Sequence, residues 1–327
     1  MTQQWNQPPT NTGSRLRQSP HIVGIMALIL VGLGGFIGAI TYFSSLAVPT
    51  PEVSEQPTKT DPFEGISLQA KSVYVQDLVT GKVLFRRDAD RERPLASLTK
   101  VALALVVAEN LAPDTVITIP YDTAPAGRAE RLAKGEKWKI SDVLSFTLTA
   151  SSNEGADILA AAVDSAVRAK YPQAPQGTAA IWRMNNLARS LGLSTMNFLN
   201  DSGLDLDVEA GQAGAYGSAH DVAVLYAYAA STTPSTFAGT TRDGLLLTDE
   251  NGNKASAFNT NEALGAIPGL IMGKTGYTDL AGGNLAVVFD VGLSHPVIAV
   301  VLGSTIDGRF TDMKQIVPAA RKAVAQE

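Results

Sequence analysis

The chain has 327 residues, 45% of them hydrophobic and 17% charged, with no cysteine and a formal net charge of −5. That length builds one large domain or two small ones. The acidic balance argues against nucleic acid as a partner, and the missing cysteines remove disulfides, thiol catalysis and cysteine-ligated zinc. The histidines are His21, His220 and His295, in no H-E-x-x-H or H-x-H pattern, which argues against a histidine-based metallopeptidase. No metal and no cofactor are expected.

Residues 1–21 are polar and carry only Arg15 and Arg17 as charges. Ile22 to Phe43 then runs without a charge, about 33 Å as a helix, long enough to cross a bilayer. Arginines before it and none just after put the N-terminus in the cytoplasm and the rest of the chain outside the membrane. A cleavable signal peptide is the rival reading, since Ser45-Leu46-Ala47 resembles a cleavage site, but the apolar stretch is long for one. Gly34 and Gly38 form a G-x-x-x-G, which is common in membrane helices with or without a dimer. Residues 44–65 read as a linker, because Pro49, Pro51, Pro57 and Pro62 alternate with polar residues that cannot bury a core.

The folded domain is expected over 66–327. Ser72–Val75 and Lys82–Phe85 read as strands around a turn at Asp77–Gly81. An apolar helix follows from Ser97, and Val116–Ile119 is a short strand. A helix from Ser141 breaks at Ser151-Ser152-Asn153, and another begins at Glu154. Ala179–Leu191 and His220–Ala230 are further helices. Leu245–Leu247 and Ala255–Phe258 flank Asn251-Gly252, a hairpin signal. Leu270–Lys274, Asn284–Val291 and Val297–Gly303 read as strands, and Thr311–Val324 as the last helix. Strands at both ends with helices between predict an α+β domain: one antiparallel sheet of about five strands, flanked by helices, with a helical lobe inserted.

Three short motifs fall at the ends of these elements. Ser97 and Lys100 stand at i and i+3 and share a helix face. A serine hydroxyl needs a base to become a nucleophile, and a lysine serves only when neutral, which the apolar run from Val101 favours by burial. Alone, S-x-x-K is as well read as a helix cap beside a solvated lysine. Ser151-Ser152-Asn153 lies at a helix break, where its polar groups face a cleft; Ser151 suits a proton relay, and Asn153 a contact to Lys100 and substrate backbone. Lys274-Thr275-Gly276 ends a strand. Lys274 offers a fixed charge and Thr275 a hydroxyl to a terminal carboxylate. Gly276 lets substrate lie along the strand edge. The backbone N–H groups of Ser97 and Tyr277 suit an oxyanion hole, and Lys274 near Lys100 would depress the latter's pKa. Ser218-Ala219-His220-Asp221 reads as a capped helix start rather than part of a serine–histidine–aspartate triad.

In that order, these motifs resemble the penicillin-recognising serine enzymes. Arg93 to Lys100, Gly135-Glu136, Met184-Asn185, Asn200 to Asp205, Asn259-Thr260-Asn261 and Gly273 to Thr278 narrow the likeness to D-alanyl-D-alanine carboxypeptidases, the low-molecular-mass penicillin-binding proteins. The resemblance spans about Ser72 to Phe310. It implies a β-lactamase/transpeptidase-like fold, removal of the terminal D-alanine from peptidoglycan stem peptides through an acyl-serine, and inhibition by β-lactams. Endopeptidase action on cross-links is the second reading. A β-lactamase lacks support because no E-x-x-x-N glutamate stands in the usual place, and a non-catalytic wall-binding or β-lactam-sensing module need not keep all five polar residues. Arg309, placed where relatives often carry arginine, either helps Lys274 hold the carboxylate or pairs on the surface. Glu154 replaces a common aspartate and is expected to be silent.

Overall fold

The computed structural model describes residues 60–123 and 131–326. The expected membrane segment 22–43, the tail before it and linker residues 44–59 lie outside the described residues. Among the described residues, no helix is long and apolar enough to cross a membrane. The packed body takes in part of the stretch expected to be linker. Phe63 is 5% exposed and stacks on Phe85 with ring centroids 5.0 Å apart, because one aromatic ring is enough to anchor a polar segment to a core.

In chain order come β1 (Ser72–Asp77), β2 (Val83–Arg87), β3 (Arg93–Pro94), a 3-10 turn (Ala96–Thr99) and α1 (Lys100–Asn110). Next are β4 (Val116–Thr118), β5 (Lys137–Lys139), α2 (Ile140–Ala150), α3 (Asn153–Lys170) and α4 (Ala179–Ser190). β6 (Asn197–Phe198), β7 (Ala215–Gly217), α5 (Ala219–Thr232), α6 (Pro234–Phe237), β8 (Gly244–Thr248) and β9 (Lys254–Phe258) follow. The chain closes with β10 (Leu270–Thr278), β11 (Gly282–Asp290), β12 (Pro296–Ser304) and α7 (Gly308–Ala325). The expected helix at Glu154 starts one residue earlier, at Asn153, because Ser152 caps it by accepting from Gly155 N at 3.0 Å. β5 was not expected; it pairs with β4, Val116 opposite Lys139.

The main sheet has the order β10-β11-β12-β1-β2, with every neighbouring pair antiparallel. It is therefore built from both ends of the domain, as the strand positions predicted. Its two faces follow the period-2 alternation of a strand. Val297, Ala299 and Val301 of β12 face α7, packing with Met313, Ile316 and Val317. Ile298, Val300 and Leu302 face the helical lobe, with Val222, Leu225 and Tyr226 of α5. α1 lies inside that lobe: Lys100 to Val107 are all buried, as expected for a helix apolar on every side. β10 is the sheet's edge strand and faces the 3-10 turn that carries Ser97.

Candidate active site

β3 ends where Leu95 N donates to Ala215 O at 2.9 Å. Ala96 then turns the chain with φ 49, a left-handed conformation that costs a non-glycine residue on the order of 1 kcal/mol. Thr99 Oγ1 donates to Ala96 O at 2.7 Å and holds the turn shut. Residues three apart eclipse in a 3-10 turn, so Ser97 and Lys100 are stacked on one side. Gly203, at φ 83, closes beneath: a Cβ there would stand 1.9 Å from Ala96 O.

Lys100 is 1% exposed, and its Nζ lies 2.8 Å from Ser97 Oγ, 2.8 Å from Asn153 Oδ1 and 2.9 Å from Ser202 O. The two carbonyl oxygens can only accept. A neutral amine has two N–H groups and one lone pair, so satisfying both carbonyls leaves the lone pair for the Ser97 hydroxyl. Burial pushes the Lys100 pKa down to about 7, against the opposing pull of the Asp201, Asp157 and Glu154 carboxylates. Repulsion between the two site lysines shows instead at Lys274. Its pKa is pushed well below the usual lysine value by burial first, then by Lys100 and Arg309.

Ser151 is the residue between α2 and α3, held at φ 60. Lys274 Nζ, 2% exposed, donates to Ser151 Oγ at 2.7 Å and to Thr275 O at 2.9 Å. Thr275 O thus points off the open edge of β10, as does Gly273 N, which donates to Thr240 Oγ1 at 3.2 Å. Alternate residues of a strand direct their backbone groups the same way, so the Tyr277 N–H belongs to that edge too. The Tyr277 side chain is 47% exposed. Gly276 was expected to clear the strand edge for substrate. The space a Cβ would fill is also used within the chain: a Cβ would lie 3.0 Å from Leu95 O and 3.1 Å from Ser97 N. The glycine lets the turn carrying Ser97 seat against the sheet.

Arg309 is not the surface pair that was one of its two expected roles. It is in the first turn of α7, 8% exposed, and donates from Nη1 to Gly276 O at 2.6 Å. It holds the backbone of the K-T-G strand, where a surface pair would need exposure. His220 lies at the start of α5, bonded to Asp221 at 3.1 Å and edge-on to Tyr74, while Ser218 caps that helix by accepting from Asp221 N. It has no bond to Ser97, so the triad fails on geometry. Glu136 accepts from Trp138 Nε1 and Asn185 clamps Phe198 through both its amide atoms; both serve the scaffold.

Sequence reasoning assigned no role to four residues that build the site. Ser202 supplies a carbonyl to Lys100, and carbonyls leave no mark in a sequence. Thr260 Oγ1 hydrogen-bonds Thr275 Oγ1. Asp205 accepts from Thr278 Oγ1 at 2.9 Å and Leu280 N at 3.1 Å, tying the 200–205 turn to the β10–β11 turn. Asn284 reaches the carbonyls of Pro94 and Leu95 from β11. For Ser202, Asp205 and Thr260 the available signal was their place in stretches that carry the family likeness; for Asn284 it was polarity inside an otherwise apolar strand.

Comparison with known proteins places the family and the fold. The chain is 30% identical over 240 residues to a D-alanyl-D-alanine carboxypeptidase of Mycobacterium tuberculosis, covering 73% of this chain and 77% of that protein. It is 31% identical over 177 residues to a D-alanyl-D-alanine endopeptidase of Pseudomonas aeruginosa, covering 52% of this chain and 53% of that one. Its fold matches that of a penicillin-binding protein of Listeria monocytogenes in the ampicillin-bound form, with TM-score 0.64 and 28% identity over 78% of this chain and 98% of that one. The sequence pattern of D-alanyl-D-alanine carboxypeptidase matches residues 55–305, and the chain belongs to that family of serine hydrolases.

Proposed function

We propose that this protein is a serine D-alanyl-D-alanine carboxypeptidase acting on peptidoglycan stem peptides. The observation that carries the reading is the Lys100 amine, buried and held by two carbonyls with its remaining valence on Ser97 Oγ at 2.8 Å. In the first step Ser97 O–H gives its proton to Lys100 Nζ, and Oγ bonds to the carbonyl carbon of the penultimate D-alanine. The N–H groups of Ser97 and Tyr277 receive the oxyanion. Ser151, between the helices and bonded to Lys274, passes a proton to the departing D-alanine amine. Water then cleaves the acyl-serine and restores the hydroxyl. Lys274 and the Thr275 hydroxyl hold the substrate's terminal carboxylate. Asn153 keeps Lys100 in place, and Arg309 holds Gly276 so that the strand keeps its course. The likeness to a D-alanyl-D-alanine endopeptidase supports a second reading, cleavage of cross-links, which breaks the same kind of bond. The uncharged stretch from Ile22 to Phe43 supports a single-pass anchor with the catalytic part outside the cell membrane.

A β-lactam is the direct test. It offers a carboxylate for Lys274 and a strained amide for Ser97, and after ring opening its amine stays tethered where water must enter. Intact-mass spectrometry is expected to show one adduct of the penicillin's full mass on the peptide containing Ser97, and none in Ser97→Ala. Release of D-alanine from a pentapeptide, set against cutting of a cross-linked dimer, separates the two peptidase readings. An adduct on any other residue overturns the assignment of Ser97.

A further inference from the structure

We propose that Asn284 is a positioning residue for acyl transfer. Its side-chain amide suspends the turn carrying Ser97 from a bulge between β11 and β12, and so sets where Ser97 Oγ stands relative to Lys100. The inference rests on Ser97 being the acylated nucleophile.

Asn284 is fully buried in the middle of the sheet, followed in β11 by Leu285, Ala286, Val287 and Val288, all buried. An amide in such a place is tolerated only when its hydrogen bonds are made, and these are. Oδ1 accepts from Gly303 N at 2.8 Å, while Nδ2 donates to Pro94 O at 3.0 Å and Leu95 O at 3.1 Å. Both ends have a specific reason. On one side, Gly283 opposes Ser304 and Leu285 opposes Val301, so β12 carries an extra residue against β11. Gly303, at φ 67, lies in that irregularity, where a bulge takes a backbone N–H out of the ladder. The Asn284 oxygen receives it. On the other side, Asn284 opposes Gly276 of β10. No side chain stands there, so Leu95 O can approach the sheet and meet the amide.

The two carbonyls held by Nδ2 belong to the two residues just before Ala96, whose φ of 49 sets the direction in which Ser97 leaves. A left-handed non-glycine residue persists only where its surroundings over-determine it. Here Ala215 O holds Leu95 N, Thr99 holds Ala96 O, and Asn284 holds the carbonyls between. Asn284 is the member of that set anchored inside the five-stranded sheet, fully buried. It touches no reacting atom and acts through the turn.

The two halves of the amide can be tested separately. Asn284→Asp keeps the shape and the acceptor for Gly303 N but presents an oxygen to two carbonyls; Asn284→Ala removes both contacts. Stopped-flow acylation by a fluorescent penicillin, run over a range of concentrations, separates the initial binding constant from the acylation rate constant. Asn284→Asp is expected to lower the acylation rate on the order of a hundredfold, as misplacement of a reacting group does. Binding should stay as in the parent, since Lys274 is untouched, and in Asn284→Ala, which adds no charge and leaves Lys100 buried, the midpoint of the pH profile should stay as in the parent. Ile316→Val, on the buried face of α7, serves as a control for mild destabilisation and should acylate at the parent rate. An Asn284→Asp protein that melts cooperatively and acylates at the parent rate overturns the proposal. So does a loss in Asn284→Ala accompanied by a shifted pH midpoint, and so does failure of both variants to fold, which would make Asn284 a folding residue only. A parent protein that takes no adduct at Ser97 instead sinks the functional reading, and this inference with it.

Discussion

Lys100 on the helical side of the site and Lys274 on the sheet are both buried, at 1% and 2% exposure, and both are pushed below the usual lysine pKa by that burial. Their neighbours differ in sign. Asp201, Asp157 and Glu154 surround Lys100 and pull its pKa back up, to about 7. Lys100 and Arg309 surround Lys274 and push it further down. Burial alone would make two similar amines; the neighbouring charges make two different tools. A lysine balanced near neutral pH can take and return a proton. A lysine crowded by cations gains most from an incoming anion, which is what a carboxylate-terminated peptide brings. Two residues of one type, both buried, thus differ by what stands behind them, and the proposed split between chemistry and recognition follows that difference.

The largest effect is expected where the helical side loses its base. Lys100→Arg cannot release a proton, so acylation should fall on the order of a thousandfold. In the parent, the neutral amine is the active form, so activity should decline as pH falls through about 7, the value to which burial brings Lys100. A rate that stays flat from pH 5 to 9 would break the comparison, because it would leave Lys100 without a proton to take. A smaller loss is expected on the sheet side. Lys274→Ala should cost a carboxylate-terminated peptide about 10- to 100-fold in kcat/KM, the worth of a charged hydrogen bond, and an amidated peptide much less. Equal losses for the two peptides would assign Lys274 to chemistry. The smallest effect sharpens the sheet side further. Thr260→Val removes the partner of the Thr275 hydroxyl and should raise KM about fivefold with kcat retained; a fall in kcat alone would remove Thr260 from recognition.

Much of this arrangement was legible in the chain. The five-stranded sheet drawn from both ends followed from where the β-branched runs lie, and the buried helix followed from the apolar run after Lys100. S-x-x-K, S-x-N and K-T-G marked five side chains that the fold brings into two bonded groups, Ser97 and Asn153 on Lys100, and Ser151 on Lys274. Other features were hidden for physical reasons. Phe63 sits in a proline-rich stretch whose composition argues for a linker, yet it stacks on Phe85. β5 is too short to show a periodicity. The fit of Gly276 against Leu95 O and Ser97 N appears only when the turn meets the sheet.

Residue type and local spacing are properties of the chain itself, so the sequence determined the elements, the pairing of Ser97 with Lys100 on one turn, and the family likeness. Contacts between distant segments are not. Only the tertiary structure decided that a backbone carbonyl at Ser202 would complete the Lys100 cage, that acids would gather behind one lysine and cations behind the other, and that Asn284 would hold a turn nearly two hundred positions away. Each of these depends on groups that are far apart in sequence and meet only once burial has removed the water that would otherwise satisfy them.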